Sequence, residues 1–209
     1  MFENLSFEIT KGETVGIVGK NGAGKSTLLK LIAGVTYPST GNVDVRGRVA
    51  PLIELGAGFH HELTGYENIF LNAAILGMHK KEIEKSLDDI IAFSELGEFI
   101  HTPVKRYSSG MYMRLGFSVA IHTHAPILLI DEVLAVGDIS FQEKCLQKLL
   151  EIKKTTDTTI IFVSHDEKAV ERFCDRSILL VAGKIVDDGK PHDVFKSYHN
   201  SLQLNSSQA

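Results

Sequence analysis

A glycine-rich loop with a lysine and a hydroxyl is the clearest candidate for chemistry in this sequence of 209 residues. Residues 19–26 read GKNGAGKS, which fits the phosphate-binding pattern GxxxxGK[ST]. Glycines let the backbone curl so that several N–H groups converge on an anion, and a following helix adds the partial positive charge of its N-terminus. An ordinary glycine turn is the alternative, but the lysine, the hydroxyl and the flanking apolar segments all stand where a phosphate loop needs them. The sequence therefore predicts a nucleoside triphosphate site.

The types of the loop residues predict individual roles. The Lys25 ammonium is expected to reach the β- and γ-phosphates, and the Ser26 hydroxyl is expected to bind Mg²⁺. The other predicted nucleotide contacts are Gly19, Asn21, Gly22, Ala23, Gly24 and Thr27.

Two carboxylates and a histidine follow apolar segments further along the chain. The run Ile127–Ile130 is typical of a buried parallel strand and ends in Asp131 and Glu132. Ligands collect at the carboxyl ends of parallel strands, so Asp131 is predicted to hold Mg²⁺ through water and Glu132 to accept a proton from an attacking water. Two solvated acids at a strand end are the alternative. His165 follows the apolar segment 159–163 and is predicted to hydrogen-bond a γ-phosphate.

Residues 107–111 contain a third candidate site. Residues 107–111 read YSSGM and stand before a helical pattern, with Arg114 one turn further on. Ser108 and the backbone amides at a helix N-terminus could bind an anion. A plain helix cap explains the same residues, and the physical argument alone favours it.

The elements that must position these residues alternate between strand and helix patterns. Alternation predicts strands over 4–10 and 14–18 and a hairpin over 43–53, and capping boxes predict helices after Thr64 and Ser140. A helical block interrupts the alternation. The predicted fold is α/β: a P-loop NTPase core with a mostly parallel sheet, a small antiparallel β part and an inserted helical subdomain. The predicted boundaries are one domain over 1–209, with its core at 1–58 and 125–209 and the helical subdomain at 59–124.

The composition sets limits on partners and location. The chain is 44% hydrophobic and 23% charged with a net charge of −4, which is ordinary for a globular protein and argues against a nucleic-acid partner. The apolar runs are too short to cross a bilayer, and the N-terminus lacks the pattern of a signal peptide. We therefore expect a cytosolic chain that meets a membrane only through a partner. Cys145 and Cys174 are expected to be free thiols.

The order of the motifs resembles an ABC-transporter ATPase over essentially the whole chain. The phosphate loop is followed by YSSGM, ILLIDE, AVGD and VSHD. YSSGM resembles the family signature LSGGQ, departing from it at Tyr107, Ser109 and Met111. The resemblance implies binding of ATP and Mg²⁺, ATP hydrolysis with Glu132 as the base, and a head-to-tail homodimer. In that dimer Ser108 and Gly110 would act on the ATP held by the other subunit.

Longer stretches resemble one group within the family. RVAPLIELGAGFHHELTGYENI, RYSSGMYMRLGFSVA and LIDEVLAVGDISFQEKC look like the ATP-binding subunits of polysaccharide exporters, first those for lipid-linked O-antigen and next those for teichoic acid. This resemblance implies a peripheral subunit on the cytoplasmic face of the inner membrane, bound to a transmembrane permease through residues 52–77. The alternatives are an ATPase for teichoic-acid or capsule export, a soluble ABC ATPase acting on ribosomes or DNA, and a regulatory module without turnover.

Three departures from the family pattern carry expectations of their own. The family has a glutamine that contacts Mg²⁺ and the attacking water, and its position falls at Leu55 or Glu54 in this sequence. Only the Glu54 side chain could do that job, so Glu54 is expected to replace the glutamine. The position of the aromatic that stacks on adenine falls before Met1, and Phe2 is expected to be a strand core residue instead, which would weaken ATP binding. No sugar-binding domain follows the ATPase motifs, so glycan specificity is expected to reside in the membrane partner.

Overall fold

The computed structural model describes residues 2–53, 55–131 and 137–206. The strands are β1 (Thr14–Val18), β2 (Val49–Leu52), β3 (Ile127–Ile130), β4 (Thr159–Val163), β5 (Arg176–Val181) and β6 (Lys184–Gly189). The helices are α1 (Lys25–Ile32), α2 (Gly65–Ile75), α3 (Lys80–Ser94), α4 (Ser109–Ile121), α5 (Ile139–Thr155), α6 (Glu167–Phe173) and α7 (Pro191–Ser206). Short 3₁₀ helices cover Gly97–His101 and Val104–Arg106.

The sheet confirms the predicted fold class. Its strand order is β2-β3-β4-β1-β5-β6. All residues of β1 are buried, and β1 pairs in parallel with both β4 and β5, as expected for an apolar strand covered on both faces. β6 returns antiparallel to β5 through a turn in which Ala182 and Gly183 both have positive φ. The result is a mostly parallel sheet with an antiparallel pair.

The chain divides into two compact units. The first comprises residues 1–46, 129–132 and 153–209, and the second comprises residues 47–128 and 133–152. In the first unit the apolar side chains of β1, β4 and β5 form the core together with the buried face of α1. In the second, α2, α3 and α4 pack around a cluster that includes Ile69, Ile90 and Leu115. The predicted boundaries at 58/59 and 124/125 differ from these and stay a prediction.

The strand predicted over residues 4–10 is wrong. Exposure alternates along this stretch as the pattern indicates, with Leu5, Phe7 and Ile9 half-buried, but the residues form no strand. A strand requires a partner backbone, and what meets this segment is a side chain: Nη2 of Arg176 donates to the carbonyl of Glu8. Alternation of apolar residues reports the two faces of an extended chain and not the presence of a ladder.

The hairpin predicted over residues 43–53 is also wrong, because residues 42–46 form no strand and only β2 is present. The polar side chains of this stretch bond locally, Nε of Arg46 donating to Oδ2 of Asp44 at 2.9 Å. A local side-chain bond of this kind gives the chain an alternative to backbone pairing.

The two predicted capping boxes have different outcomes. Thr64 accepts from the backbone of Glu67, whose carboxylate accepts in turn from the Thr64 N–H, so this box is confirmed. The box predicted at Ser140 is wrong, because α5 begins at Ile139. Asp138 takes the capping role, its Oδ1 accepting from the N–H of Phe141 at 3.0 Å. Aspartate is a strong N-cap residue and stands earlier in the chain.

Both cysteines are free and buried. Cys145 lies in the second unit at 0% exposure and Cys174 in the first at 7%. Burial raises the pKa of each thiol to about 12.

Among the described residues, no helix combines the length and the apolar character that crossing a membrane requires.

Candidate functional site

The phosphate loop between β1 and α1 needs its glycines. Gly19, Gly22 and Gly24 have φ values of 153°, 83° and 106°, in the region that side chains disfavour. A Cβ on Gly19 would collide with the carbonyl oxygen of Leu180. Gly24 is the N-cap of α1, so the first amides of that helix point toward the loop.

Lys25 is held inside this loop. The residue is 7% exposed, and its Nζ donates to the carbonyls of Gly19 at 2.7 Å and Lys20 at 3.1 Å. Burial lowers the pKa of Lys25, and the charge of Asp131 opposes that shift. The loop therefore surrounds an ammonium group, which is the arrangement that a polyphosphate requires.

Asp131 follows β3 and lies close to the loop. Burial raises the pKa of this carboxyl, while the charge of Lys25 and a hydrogen bond from Ser26 oppose the rise. The structure thus brings together Lys25, Ser26 and Asp131. The serine hydroxyl and the carboxylate are the hard oxygen donors that Mg²⁺ prefers, so these residues fit the metal that the sequence predicts. Glu132 and Glu54, both predicted to act in catalysis, lie outside the described residues.

His165 lies at the same end of the sheet as the loop. Ile17 of β1 pairs with Val163 of β4 in parallel, so Gly19 and His165 each stand just beyond that pair. His165 is exposed. The next residue, Asp166, is the N-cap of α6 and accepts from the N–H of Ala169. The cap therefore fixes the backbone directly after His165.

The outer side of the loop borders a cavity. Asn21, Ser26 and Thr27 are exposed, whereas Ala23 is buried and its carbonyl accepts from the N–H of Gly183. The cavity has a volume of about 270 Å³. It is lined by Lys20, Asn21, Gly22, Ala23, Leu180, Val181, Ala182 and Tyr198. An apolar wall with an aromatic ring thus adjoins the loop.

Phe2 is not the strand core residue that the sequence predicts. It is half-buried in a segment that forms no strand, and its ring lies against Gly24 of the loop. A Cβ on Gly24 would lie 2.7 Å from Cε1 of Phe2. The lack of a side chain at Gly24 therefore makes room for this ring.

Ser108 and Gly110 lie in the second unit, at the start of α4. Ser108 is the N-cap, and its Oγ accepts from the N–H of Met111 at 3.2 Å. The plain helix cap that the physical argument favoured is therefore present. Ser108 is also exposed, so the first turn of α4 is accessible to a second molecule.

Sequence reasoning missed residues whose partners are distant in the chain. Tyr198 comes to the cavity from α7, and Tyr112 donates from its hydroxyl to the carbonyl of Gly56 at 2.9 Å. Arg114, predicted only as part of an anion site, pairs with Glu95 and Asp138 instead. No spacing rule within the sequence links these residues.

Comparison with known proteins finds relatives that match nearly the whole chain. The family model described as ABC transporter matches residues 2–135. The O-antigen export system ATP-binding protein RfbB of Klebsiella pneumoniae is 51% identical over 96% of this chain and 81% of its own length. The protein of the same name in Myxococcus xanthus is 49% identical over 98% of this chain and 47% of its own length. The teichoic acids export ATP-binding protein TagH of Bacillus cereus is 44% identical over 96% of this chain and 36% of its own length. The chain thus spans less than half of the last two proteins.

Solved structures share the fold. The structure of an ATP-binding subunit of an ABC transporter superposes with a TM-score of 0.82 at 26% identity, covering 95% of this chain and 87% of that one. A dimeric ATP-binding cassette in a post-hydrolysis state, bound to ADP and Pi, superposes with a TM-score of 0.74 at 25% identity, covering 91% of this chain and 90% of that one.

Proposed function

This chain belongs to the ABC transporter family, and we propose that it is the ATP-hydrolysing subunit of an exporter that moves lipid-linked polysaccharide of the O-antigen type across the cytoplasmic membrane. The observation that carries the nucleotide part is the buried Lys25 ammonium inside a glycine loop, next to Ser26 and Asp131. The relative named for O-antigen export, 51% identical to this chain, supports the transport part.

The residues at the loop would act by binding the phosphates and Mg²⁺. Lys25 would exchange its bonds with the loop carbonyls for bonds with the β- and γ-phosphates. Ser26 and Asp131 would hold Mg²⁺, which neutralises charge on the phosphates when it is bound. Glu132 would take the proton of the attacking water, and His165 would hydrogen-bond the γ-phosphate. Glu54 would assist at the metal and the water.

The protein would work as a dimer on a membrane partner. Ser108 and Gly110, at the exposed start of α4, would contact the ATP held by a second copy. Residues 52–77 would face a transmembrane permease, placing the chain on the cytoplasmic face of the inner membrane. Export of teichoic acid is the second candidate, supported by the relative of that name at 44% identity.

Three variants test the enzymatic part. Lys25→Ala should lose ATP binding, whereas Glu132→Gln should keep ATP binding and lose hydrolysis by about a hundredfold or more, because a general base contributes that much. Glu151→Gln, an exposed acid on α5, is the matched control and should retain full turnover. Undiminished hydrolysis by Glu132→Gln would overturn the base assignment.

Transport is tested through the partner and the product. The chain should co-purify with a membrane permease, and cells carrying only Lys25→Ala should accumulate lipid-linked polysaccharide on the cytoplasmic side. Accumulation of a teichoic-acid precursor would replace the first candidate by the second. Co-purification with ribosomes would contradict both.

A further inference from the structure

The hairpin formed by β5 and β6 contacts the phosphate loop at two points. β1 and β5 pair in parallel, so the loop after β1 and the turn after β5 lie at the same edge of the sheet. A Cβ on Gly19 would collide with the carbonyl oxygen of Leu180. Further along the loop, the N–H of Gly183 donates to the carbonyl of Ala23 at 3.2 Å. The loop and the hairpin are therefore joined within the first unit.

The turn of this hairpin has a defined shape. Val181 pairs with Lys184, so Ala182 and Gly183 form a two-residue connection. Their φ values are 47° and 79°. Positive φ at both positions is characteristic of a type I′ turn, whose twist matches that of the flanking strands. The turn therefore presents the Gly183 N–H in one direction.

The bond to Ala23 determines the direction of the next N–H in the loop. A peptide group is planar and trans, so its C=O and N–H point in opposite directions. Since the hairpin holds the Ala23 carbonyl, the N–H of Gly24 is directed away from the hairpin. Among the residues that the structure describes, this N–H donates to no other group. It stands directly before Lys25, whose ammonium group is held inside the loop. A backbone donor beside an ammonium group is suited to bind an anion.

We infer that Gly183 is a positioning residue for nucleotide binding, whose N–H orients the Ala23–Gly24 peptide so that the Gly24 N–H donates to a phosphate oxygen. Gly183 itself does not contact the nucleotide. It fixes a peptide group in advance, and a donor that is already oriented loses less conformational freedom when the anion binds. This inference rests on the proposed function, because it assigns Gly183 to the ATP site.

Replacement of one amide by an ester tests the inference. Gly183→glycolic acid, introduced by nonsense suppression in cell-free translation, removes the N–H and adds no side chain. It should weaken ATP binding about tenfold, because a hydrogen bond to a charged group contributes that much or more. Binding of inorganic tripolyphosphate should weaken by the same factor, since the Gly24 N–H would contact phosphate and not the base. Isothermal titration calorimetry measures both affinities.

The matched control is the same replacement at the opposite end of β1. Gly12 has a φ of 81°, and its N–H donates to Oγ1 of Thr159 at 2.9 Å. Gly12→glycolic acid removes this bond, so it should lower the thermal unfolding temperature about as much as the replacement at 183 and leave both affinities unchanged. Equal losses of affinity in the two variants would overturn the inference. A folded Gly183→glycolic acid with the parent's affinity for tripolyphosphate would overturn it as well.

A measurement on the parent does not depend on the folding of any variant. With isotope-labelled glycine, the amide resonance of Gly24 should shift when tripolyphosphate saturates the protein. An unmoved Gly24 resonance in protein that binds tripolyphosphate would contradict the inference. A parent that binds neither ATP nor tripolyphosphate would instead contradict the proposed function.

Discussion

Two glycines on α4 show how single residues serve different purposes. A Cβ on Gly116 would lie 2.5 Å from the backbone nitrogen of Gly56 and 3.0 Å from the carbonyl carbon of Leu55. A Cβ on Gly110 would meet only Oγ of Ser108 at 3.8 Å and Cα of Gly137 at 4.0 Å. Packing within the chain therefore requires a glycine at position 116 and does not require one at 110.

Alanine at each position should separate stability from activity. Gly116→Ala should destabilise the protein by about 1–3 kcal/mol, because backbone has to move to admit the methyl group. Gly110→Ala should unfold at the parent's temperature or slightly above, since alanine favours a helix by about 1 kcal/mol over glycine. Thermal unfolding followed by circular dichroism measures both.

Dimerisation and activity of Gly110→Ala then test whether Gly110 contacts the nucleotide held by a second copy of the chain. We expect it to lose ATP-dependent dimerisation, measured by size-exclusion chromatography in the Glu132→Gln background. A fully active, dimerising Gly110→Ala would show that this glycine does not approach a nucleotide in the partner.

At the scale of elements, a segment after β2 is attached to two helices by polar side chains, buried on α2 and half-buried on α4. Asn68 of α2 is 0% exposed; its Oδ1 accepts from the N–H of His60, and its Nδ2 donates to the carbonyls of His60, Leu63 and Thr64. Asn72 donates to the carbonyl of Ala57 at 2.7 Å. Together with the Tyr112 hydroxyl on Gly56, these bonds shape the region that we propose faces the permease.

Removal of the Asn68 amide should loosen this segment. Asn68→Ala leaves backbone groups of residues 60–64 without a buried partner, which costs about 1–3 kcal/mol. Urea unfolding measures the loss, and hydrogen exchange should rise selectively at residues 60–64. Asn42→Ala, at an exposed position, is the control and should leave both quantities unchanged. Equal exchange rates in Asn68→Ala and the parent would contradict this account.

The helices and strands also show which structural features can be predicted from the sequence. The phosphate loop, the Thr64 cap and the buried strands β1 and β4 follow from local patterns, because the residues that form them are neighbours in the chain. The strand predicted over 4–10 and the first strand of the hairpin predicted over 43–53 are wrong, since pairing depends on a partner that the pattern does not reveal. The second strand of that hairpin is confirmed as β2. The contact of Arg114 with Asp138 joins α4 to the residue that precedes α5, and no periodicity predicts it.

At the scale of the whole molecule, a charge cluster connects distant parts of the first unit. Arg176 at the start of β5 donates to Glu13 before β1 at 2.6 Å and to Asp188 of β6 at 2.8 Å. Burial acts to raise the pKa of Glu13, but the bonds from Arg176 and Thr10 outweigh it and leave that pKa below the ordinary value of 4.5. The folded protein therefore favours the charged form of Glu13.

This shift predicts a pH dependence. A carboxyl whose pKa is lowered by folding stabilises the protein above its unfolded pKa, and the contribution is lost as the pH falls through the folded value. Glu13→Gln should thus cost about 1–3 kcal/mol at pH 7 and progressively less below pH 4. Urea unfolding at pH 7 and below pH 4 measures the cost of the substitution in each condition. Glu8→Gln, at an exposed position, is the control. A cost that is independent of pH would contradict the assignment.

The placement of the two cysteines gives each unit its own chemical reporter. With a pKa of about 12, only about one thiol in ten thousand is ionised at pH 8, so native Cys145 and Cys174 should react with a disulfide reagent at least a thousandfold more slowly than in urea. Peptide mapping of the first label identifies which unit opens, because Cys145 belongs to one and Cys174 to the other. Rapid labelling of either thiol in the native protein would contradict its burial. The thiol that reacts first therefore shows which of the two units unfolds first.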